Sequence, residues 1–130
     1  MRSLKMKKIL IIDDEEDLAF FVKANLELAG DYKVLTATSG KDGIKLASRW
    51  QPDIILLDIM MPGMDGYETL NKLKSGGKTL KIPVIMLTAK ADEDSKLKAA
   101  SLYNEEYLIK PVQIDILNAK IKEVFARRNY

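Results

Sequence analysis

Short apolar runs alternate along this chain with longer stretches whose apolar residues recur every three or four positions. The first run, "KKILII" (Lys7–Ile12), reads as a buried strand, β1. In the following "EEDLAFFVKANLELAG" (Glu15–Gly30), Leu18, Phe21, Val22 and Leu26 fall at helical spacing and Gly30 is the stop, which predicts helix α1. "YKVLTA" (Tyr32–Ala37) is a second strand, β2, and "SGKDGIKLASRW" (Ser39–Trp50) is helix α2 with Ser39 as its cap. "DIILL" (Asp53–Leu57) is strand β3, and "GYETLNKLK" (Gly66–Lys74) is a short helix α3 ended by Gly76-Gly77. "PVIMLT" (Pro83–Thr88) is strand β4, "DEDSKLKAASLY" (Asp92–Tyr103) is helix α4, and "EYLI" (Glu106–Ile109) is strand β5. Val112 to Arg128 form a closing helix α5 with Ile114, Leu117, Ile121, Val124 and Phe125 inward.

Alternating strands and helices predict an α/β fold with a parallel sheet covered by helices on both faces. Right-handed crossovers favour a doubly wound sheet, and five βα units are too few for a (β/α)₈ barrel. No linker, repeat or low-complexity segment interrupts the pattern. Residues 1–5 read as an N-terminal arm or a remnant, with Met6 as an alternative start; 6–128 form the domain and 129–130 a short tail.

Composition narrows the chemistry. The 130 residues suit one domain, and 47% hydrophobic with 31% charged residues is an ordinary globular balance. A net charge of +2 gives no argument for nucleic-acid binding. No apolar run approaches the roughly 20 residues that span a bilayer. "MRSLKMKKILIIDD" is basic and then apolar, but its apolar part is only "ILII" and runs into "DDEE", so it reads as a strand and not a secretion signal. The chain has no cysteine, which removes disulfides, thiolate metal sites and thiol nucleophiles and is compatible with a cytosolic protein. It has no histidine either, which excludes Ser-His-Asp and Cys-His mechanisms.

Ligands of doubly wound sheets sit outside the carboxyl ends of the strands. Those ends here are Asp13-Asp14, Thr38-Ser39, Asp58, Thr88-Ala89 and Lys110-Pro111. Three carboxylates, a hydroxyl and an ammonium therefore gather on one rim. Like charges at close range need a cation to remain ionised, and oxygen ligands suit hard Mg²⁺, which takes only one or two carboxylates and leaves positions for a phosphate. Lys110 can neutralise a phosphoryl oxygen, Thr88 can hydrogen-bond one, and Asp58 can itself be the nucleophile.

Each residue also has a plainer reading. Asp13 or Asp14 could merely cap α1, Asp58 could be a strand-end acid, and Thr88 a cap or turn residue. Lys110 could be a solvated charge, Tyr107 packing, Gly66 a turn glycine, and Met60-Met61 core filler. Taken jointly, these readings require a coincidence that places all of them on one rim.

The motifs "ILIIDDEE", "DIILLDIMMPGMDG", "VIMLTAK" and "YLIKP", in that order at matching strand ends, resemble the receiver domains of two-component response regulators, the CheY-like family. The resemblance covers Lys7 to about Arg128. It implies a flavodoxin-like sheet of order 2-1-3-4-5, with Asp58 as phosphoacceptor. It implies Mg²⁺, with Mn²⁺ as a substitute, held by Asp14, Asp58 and the backbone carbonyl of Met60, with Asp13 acting through a water. Thr88 would follow the phosphoryl group, Lys110 would pair with it, and Tyr107 holds the switch-aromatic position. Lys110-Pro111 is the dipeptide that is usually cis. Pro62 and Gly66 match the turn after the phosphoacceptor, and Met60 and Lys90 stand where residues tune phosphate lifetime.

The implied function is a cytoplasmic phosphorylation switch. A histidine kinase or histidine phosphotransfer protein would be the donor, since this chain lacks histidine. Partner choice would change at the α4–β5–α5 face, toward a downstream output protein or domain, with a phosphorylation-dependent homodimer as one form of output. Direct contact with nucleic acid or membrane is not implied. Two positions depart from the family pattern: "SLYNEEY" puts Tyr103 where glycine is common, with Asn104 able to supply the turn, and Val112 follows Lys110-Pro111 where phenylalanine is frequent.

Three rival readings stand beside it. A metal-dependent phosphatase would want a second acid two residues after Asp58, where this chain has Met60. A pure interaction module would leave the acids unused. A flavodoxin-like cofactor binder fits poorly, because "DDEED" after β1 repels a phosphate. The receiver reading is accordingly not that of a conventional enzyme; the chemistry is limited to its own phosphorylation and dephosphorylation.

Overall fold

The computed structural model describes residues 6–88 and 106–128. The expected arm, α4, Lys90, Tyr103, Asn104 and the last two residues lie outside the described residues. Within them, β1 (Lys7–Ile12), β2 (Tyr32–Ala37), β3 (Ile54–Asp58), β4 (Val84–Thr88) and β5 (Glu106–Ile109) form one parallel sheet in the order β2-β1-β3-β4-β5. Helices α1 (Glu16–Leu28), α2 (Gly40–Trp50), α3 (Gly66–Ser75) and α5 (Ile114–Arg127) cover it.

Side-chain alternation along the strands divides the core in two. Ile9 and Ile11 of β1, Ile54 and Leu56 of β3, and Ile85 and Leu87 of β4 pack with Val22, Leu26, Leu117, Ile121 and Val124 under α1 and α5. Leu10 and Ile12, Ile55 and Leu57, and Val84 and Met86 face the other way, against Ala47, Leu70 and Leu73 under α2 and α3. The central strands are buried on both faces, which is why they read as unbroken apolar runs. The edge strand β2 alternates buried and exposed positions, so polar residues survive in "YKVLTA".

The helix ends follow local chemistry. Ser39 accepts from the Asp42 N–H at 3.1 Å and Asp65 accepts from the Glu68 N–H at 2.9 Å, capping α2 and α3. Gly30 ends α1 in the left-handed region at φ 106°.

Three expectations need correction. Phe21 is 52% exposed, and Ala19 takes the buried place on α1 beside Val22 and Leu26. Ala19, Val22 and Leu26 stand at i, i+3 and i+7 on one face of α1, and Phe21 lies to the side of it. Strand β3 begins one residue later than its apolar run suggests and includes Asp58. Asp53 instead stands outside the ladder, its Oδ2 accepting from the Lys8 N–H at 2.7 Å. Helix α5 starts at Ile114, after the Lys110–Pro111 turn.

Candidate functional site

Parallel strands deliver their last residues to one edge. Asp13 follows β1 and its N–H donates to the Ala37 carbonyl at 3.0 Å, so it stays in register with the sheet. Asp58 is the last residue of β3, opposite Leu87 of β4. Thr88 ends β4 opposite Ile109, and its carbonyl accepts from the Lys110 N–H at 2.6 Å. These main-chain bonds set the positions before any side chain is considered.

The side chains then converge. One carboxylate oxygen from each of Asp13, Asp14 and Asp58 lies within 4.8 Å of the others. Asp13 and Asp58 are buried, Asp58 with 2% of its surface exposed. Lys110 Nζ reaches into the group, 3.2 Å from Asp58 Oδ1, 3.6 Å from Asp13 Oδ2 and 3.6 Å from Glu15 Oε1. Asp58 Oδ1 also accepts from the Met60 N–H at 3.3 Å. Neither aspartate of the first motif caps α1 as its N-cap residue: that position is Glu15, whose N–H donates to Asp13 Oδ1 at 2.9 Å.

The electrostatics follow from the crowding. Burial, and then the charge of Asp13, pushes the Asp58 carboxyl up to about 6 against the pull of Lys110. Burial alone would lower Lys110, but Asp13 and Asp58 outweigh it and hold the ammonium above its ordinary range. One lysine thus faces two aspartates and a glutamate, with Asp14 a third aspartate in the same cluster. A cluster of hard oxygen donors with excess negative charge, two members of it withdrawn from water, has the chemistry to hold a hard divalent cation.

The other expected residues fall around this group. Tyr107, on β5 opposite Met86, is half-buried and packs against the core under α2 and α3. The Lys110–Pro111 bond is cis. Pro62 is exposed in the loop after Asp58. Gly66 is the first residue of α3, where the helical pattern starts it, and its N–H donates to the Ile59 carbonyl at 2.9 Å, closing the loop after Asp58; a Cβ there would meet the Asp58 carbonyl at 2.6 Å and the Cα of Ile59. The left-handed glycine of the turn is Gly63, at φ 73°, which sequence reading passed over although "PG" is a turn signal. Glu15 was also missed; the run "DDEE" held the signal, but nothing in it said which acids face Lys110.

With this geometry in view, the chain belongs to the response regulator receiver domain family, which it matches over residues 9–122. It is 39% identical over 121 residues to the alkaline phosphatase synthesis transcriptional regulatory protein PhoP of Bacillus subtilis, covering 93% of this chain and 49% of that protein. It is 38% identical over 121 residues to protein PilH of Pseudomonas aeruginosa, covering 93% and 99%. Among solved structures it resembles the chemotaxis protein CheY4 of Vibrio cholerae with a TM-score of 0.86 and 28% identity over 92% of this chain and 98% of that one. The chain spans about half the length of PhoP and of the transcriptional regulators AfsQ1 of Streptomyces coelicolor and RpaA of Synechocystis. Receiver domains are signalling modules of two-component response regulators and not conventional enzymes. Among the described residues no helix is long and apolar enough to cross a membrane.

Proposed function

We propose that Asp58 accepts a phosphoryl group from the phosphohistidine of a sensor kinase or phosphotransfer protein, and that the charge gained changes which partner the domain binds. The observation that carries this reading is the convergence of Asp13, Asp14 and Asp58 within 4.8 Å, with Lys110 Nζ 3.2 Å from Asp58, at the carboxyl edge of the sheet. A carboxylate oxygen of Asp58 attacks phosphorus, the P–O bond forms, and the P–N bond to the donor imidazole breaks. Lys110 then pairs with a phosphoryl oxygen, and Thr88 donates its hydroxyl to another. Asp14, Asp58 and the Met60 carbonyl are the groups that would hold Mg²⁺, with Asp13 behind a water. When bound, Mg²⁺ supplies charge neutralisation to the cluster and to the phosphoryl oxygens.

Thr88, drawn toward the phosphoryl group, leaves room for Tyr107 to turn further inward from its half-buried place. The surface of β5 and α5, together with the fourth helix of the sequence reading, then favours a different partner, a population shift between two conformers. The output is a separate protein, an attached effector domain, or a second copy of the domain. The direct test is labelling with acetyl phosphate, with and without Mg²⁺. Wild type takes label only with the metal, and Asp58→Asn takes none. Equal labelling of Asp58→Asn and wild type would overturn the assignment. Lys90, outside the described residues, completes the reading as a residue tuning phosphate lifetime; Lys90→Ala is expected to change the dephosphorylation rate.

A further inference from the structure

An edge strand turns a row of N–H and C=O groups outward, where another strand can pair with them. Among the described residues β2 has a strand neighbour, β1, on one side only. Two bonds at its ends fix which of its groups face that neighbour. The carbonyls of Asp31 and Ala37 accept from the Lys7 and Asp13 N–H groups, each at 3.0 Å. Alternate residues of a strand turn their main-chain groups the same way, so Lys33 and Leu35 also face β1. Tyr32, Val34 and Thr36 therefore face away from the sheet, with Val34 at the centre of the edge.

Both outward groups of Val34 are taken by side chains of α1. Lys23 Nζ donates to the Val34 carbonyl at 2.9 Å, and Glu27 Oε2 accepts from the Val34 N–H at 3.1 Å. Lys23 and Glu27 stand one turn apart on the helix, 4.0 Å from each other, so each charge steadies the other. Other common protections of an edge are missing. "YKVLTA" contains no proline, its one charge is Lys33, and the register with β1 runs unbroken over six residues, so no bulge turns the edge aside. Tyr, Val and Thr also favour the extended state. The groups held at Val34 are those that a second copy of the chain would use. In an antiparallel pairing about a two-fold axis at Val34, its N–H and carbonyl would exchange bonds with the same residue of the copy, and Tyr32 would lie opposite Thr36.

We propose that Lys23 and Glu27 form a guard that closes the free edge of β2 against pairing with a second copy of this chain. The guard is independent of the acid cluster and of phosphorylation. A domain closed at β2 joins another copy only through its remaining surfaces.

The test compares wild type with the double variant Lys23→Ala/Glu27→Ala, both unphosphorylated, by sedimentation over a range of concentrations. Both sites are partly exposed on a helix, where alanine is well tolerated, so the variant keeps its fold. It is expected to self-associate at a concentration at least about tenfold lower than wild type. Adding Thr36→Pro, which removes an outward N–H at an exposed position of β2, should reverse the gain. At a dilution where Glu27→Ala is monomeric, its Val34 amide should exchange with solvent at least about tenfold faster than in wild type, while the inward Leu35 amide keeps its rate. A double variant that associates no more readily than wild type overturns the proposal. So does an association that Thr36→Pro leaves intact, or a Val34 amide whose exchange is unmoved by Glu27→Ala.

Discussion

Two aspartates bracket β3, and the fold treats them in opposite ways. At the amino end, Asp53 ties β1 to β3: its Oδ2 accepts from the Lys8 N–H at 2.7 Å, and its own N–H donates to the Lys8 carbonyl at 2.8 Å. Lys8 Nζ beside it donates to the Trp50 carbonyl at 2.6 Å and lies 5.3 Å from the centre of that ring. At the carboxyl end, Asp58 has partners too, but it faces Asp13 and Asp14 and shares its lysine with Asp13 and Glu15. The same residue type on the same strand is a fastening at one end and a source of repulsion at the other. Asp53 is satisfied by a main-chain donor, whereas Asp58 lies among like charges.

The sharpest way to break this contrast is to move one end alone. Gly66→Val drives a side chain into the Asp58 carbonyl and the Ile59 backbone while leaving the Asp53 end untouched. A loss of about 3 kcal/mol in denaturant unfolding, with reduced labelling of Asp58, is the expected result. Asp58→Asn should do the reverse and stabilise the metal-free protein. Because the folded carboxyl is raised to about 6, its ionised form weakens the fold as pH rises through the window from the ordinary aspartate value to that one. The variant should therefore gain about 2 kcal/mol over wild type at neutral pH and nothing near pH 3.

Asp53→Ala should lose about 1.5 kcal/mol by orphaning the Lys8 N–H, so that the two aspartates differ in sign in the same unfolding assay. The smallest effect belongs to Glu106. Burial raises its carboxyl, but bonds and charges from Lys120, at 3.2 Å, and Arg127, at 3.0 Å, outweigh it and hold it below the ordinary range. That contribution is present above the unfolded glutamate value and is lost as pH falls through the folded one. Glu106→Gln should flatten the acid limb of the stability curve by less than about 1 kcal/mol.

Most of the architecture is legible in the chain because its central strands and helix caps are local signals. "ILII", "IILLD" and "VIMLT" are buried on both faces, so their apolar runs are unbroken, and Ser39 and Gly30 mark helix ends by chemistry any reader can apply. The convergence of Asp13, Asp14, Asp58 and Lys110 is also legible, since a doubly wound sheet sends every strand end to one edge. What sequence could not give depends on distances between elements. Whether α1 turns Ala19 or Phe21 toward the sheet is decided by how the helix is rotated on it, which puts Ala19, Val22 and Leu26 inward. Gly66 reads as a helix start, but that α3 lies too close to the backbone after Asp58 for a Cβ there is seen only in the structure. Glu15 is one acid among five in "DDEED" until Lys110 arrives from the far end of the chain.

The division of the core by alternate residues has a consequence for how this chain can change length. Losing one residue inside β3 would exchange the sets Ile54, Leu56 and Ile55, Leu57 between the two faces of the sheet and swing the terminal carboxylate off the rim in the same stroke. Packing and chemistry there are a single choice of parity, so drift in length must be absorbed elsewhere. The exposed junction of Gly30 and Asp31, where even an added Cβ would meet only open space at Gly30, is a place that can take it. A scan of single-residue insertions would find β3 the least forgiving stretch and that junction among the most.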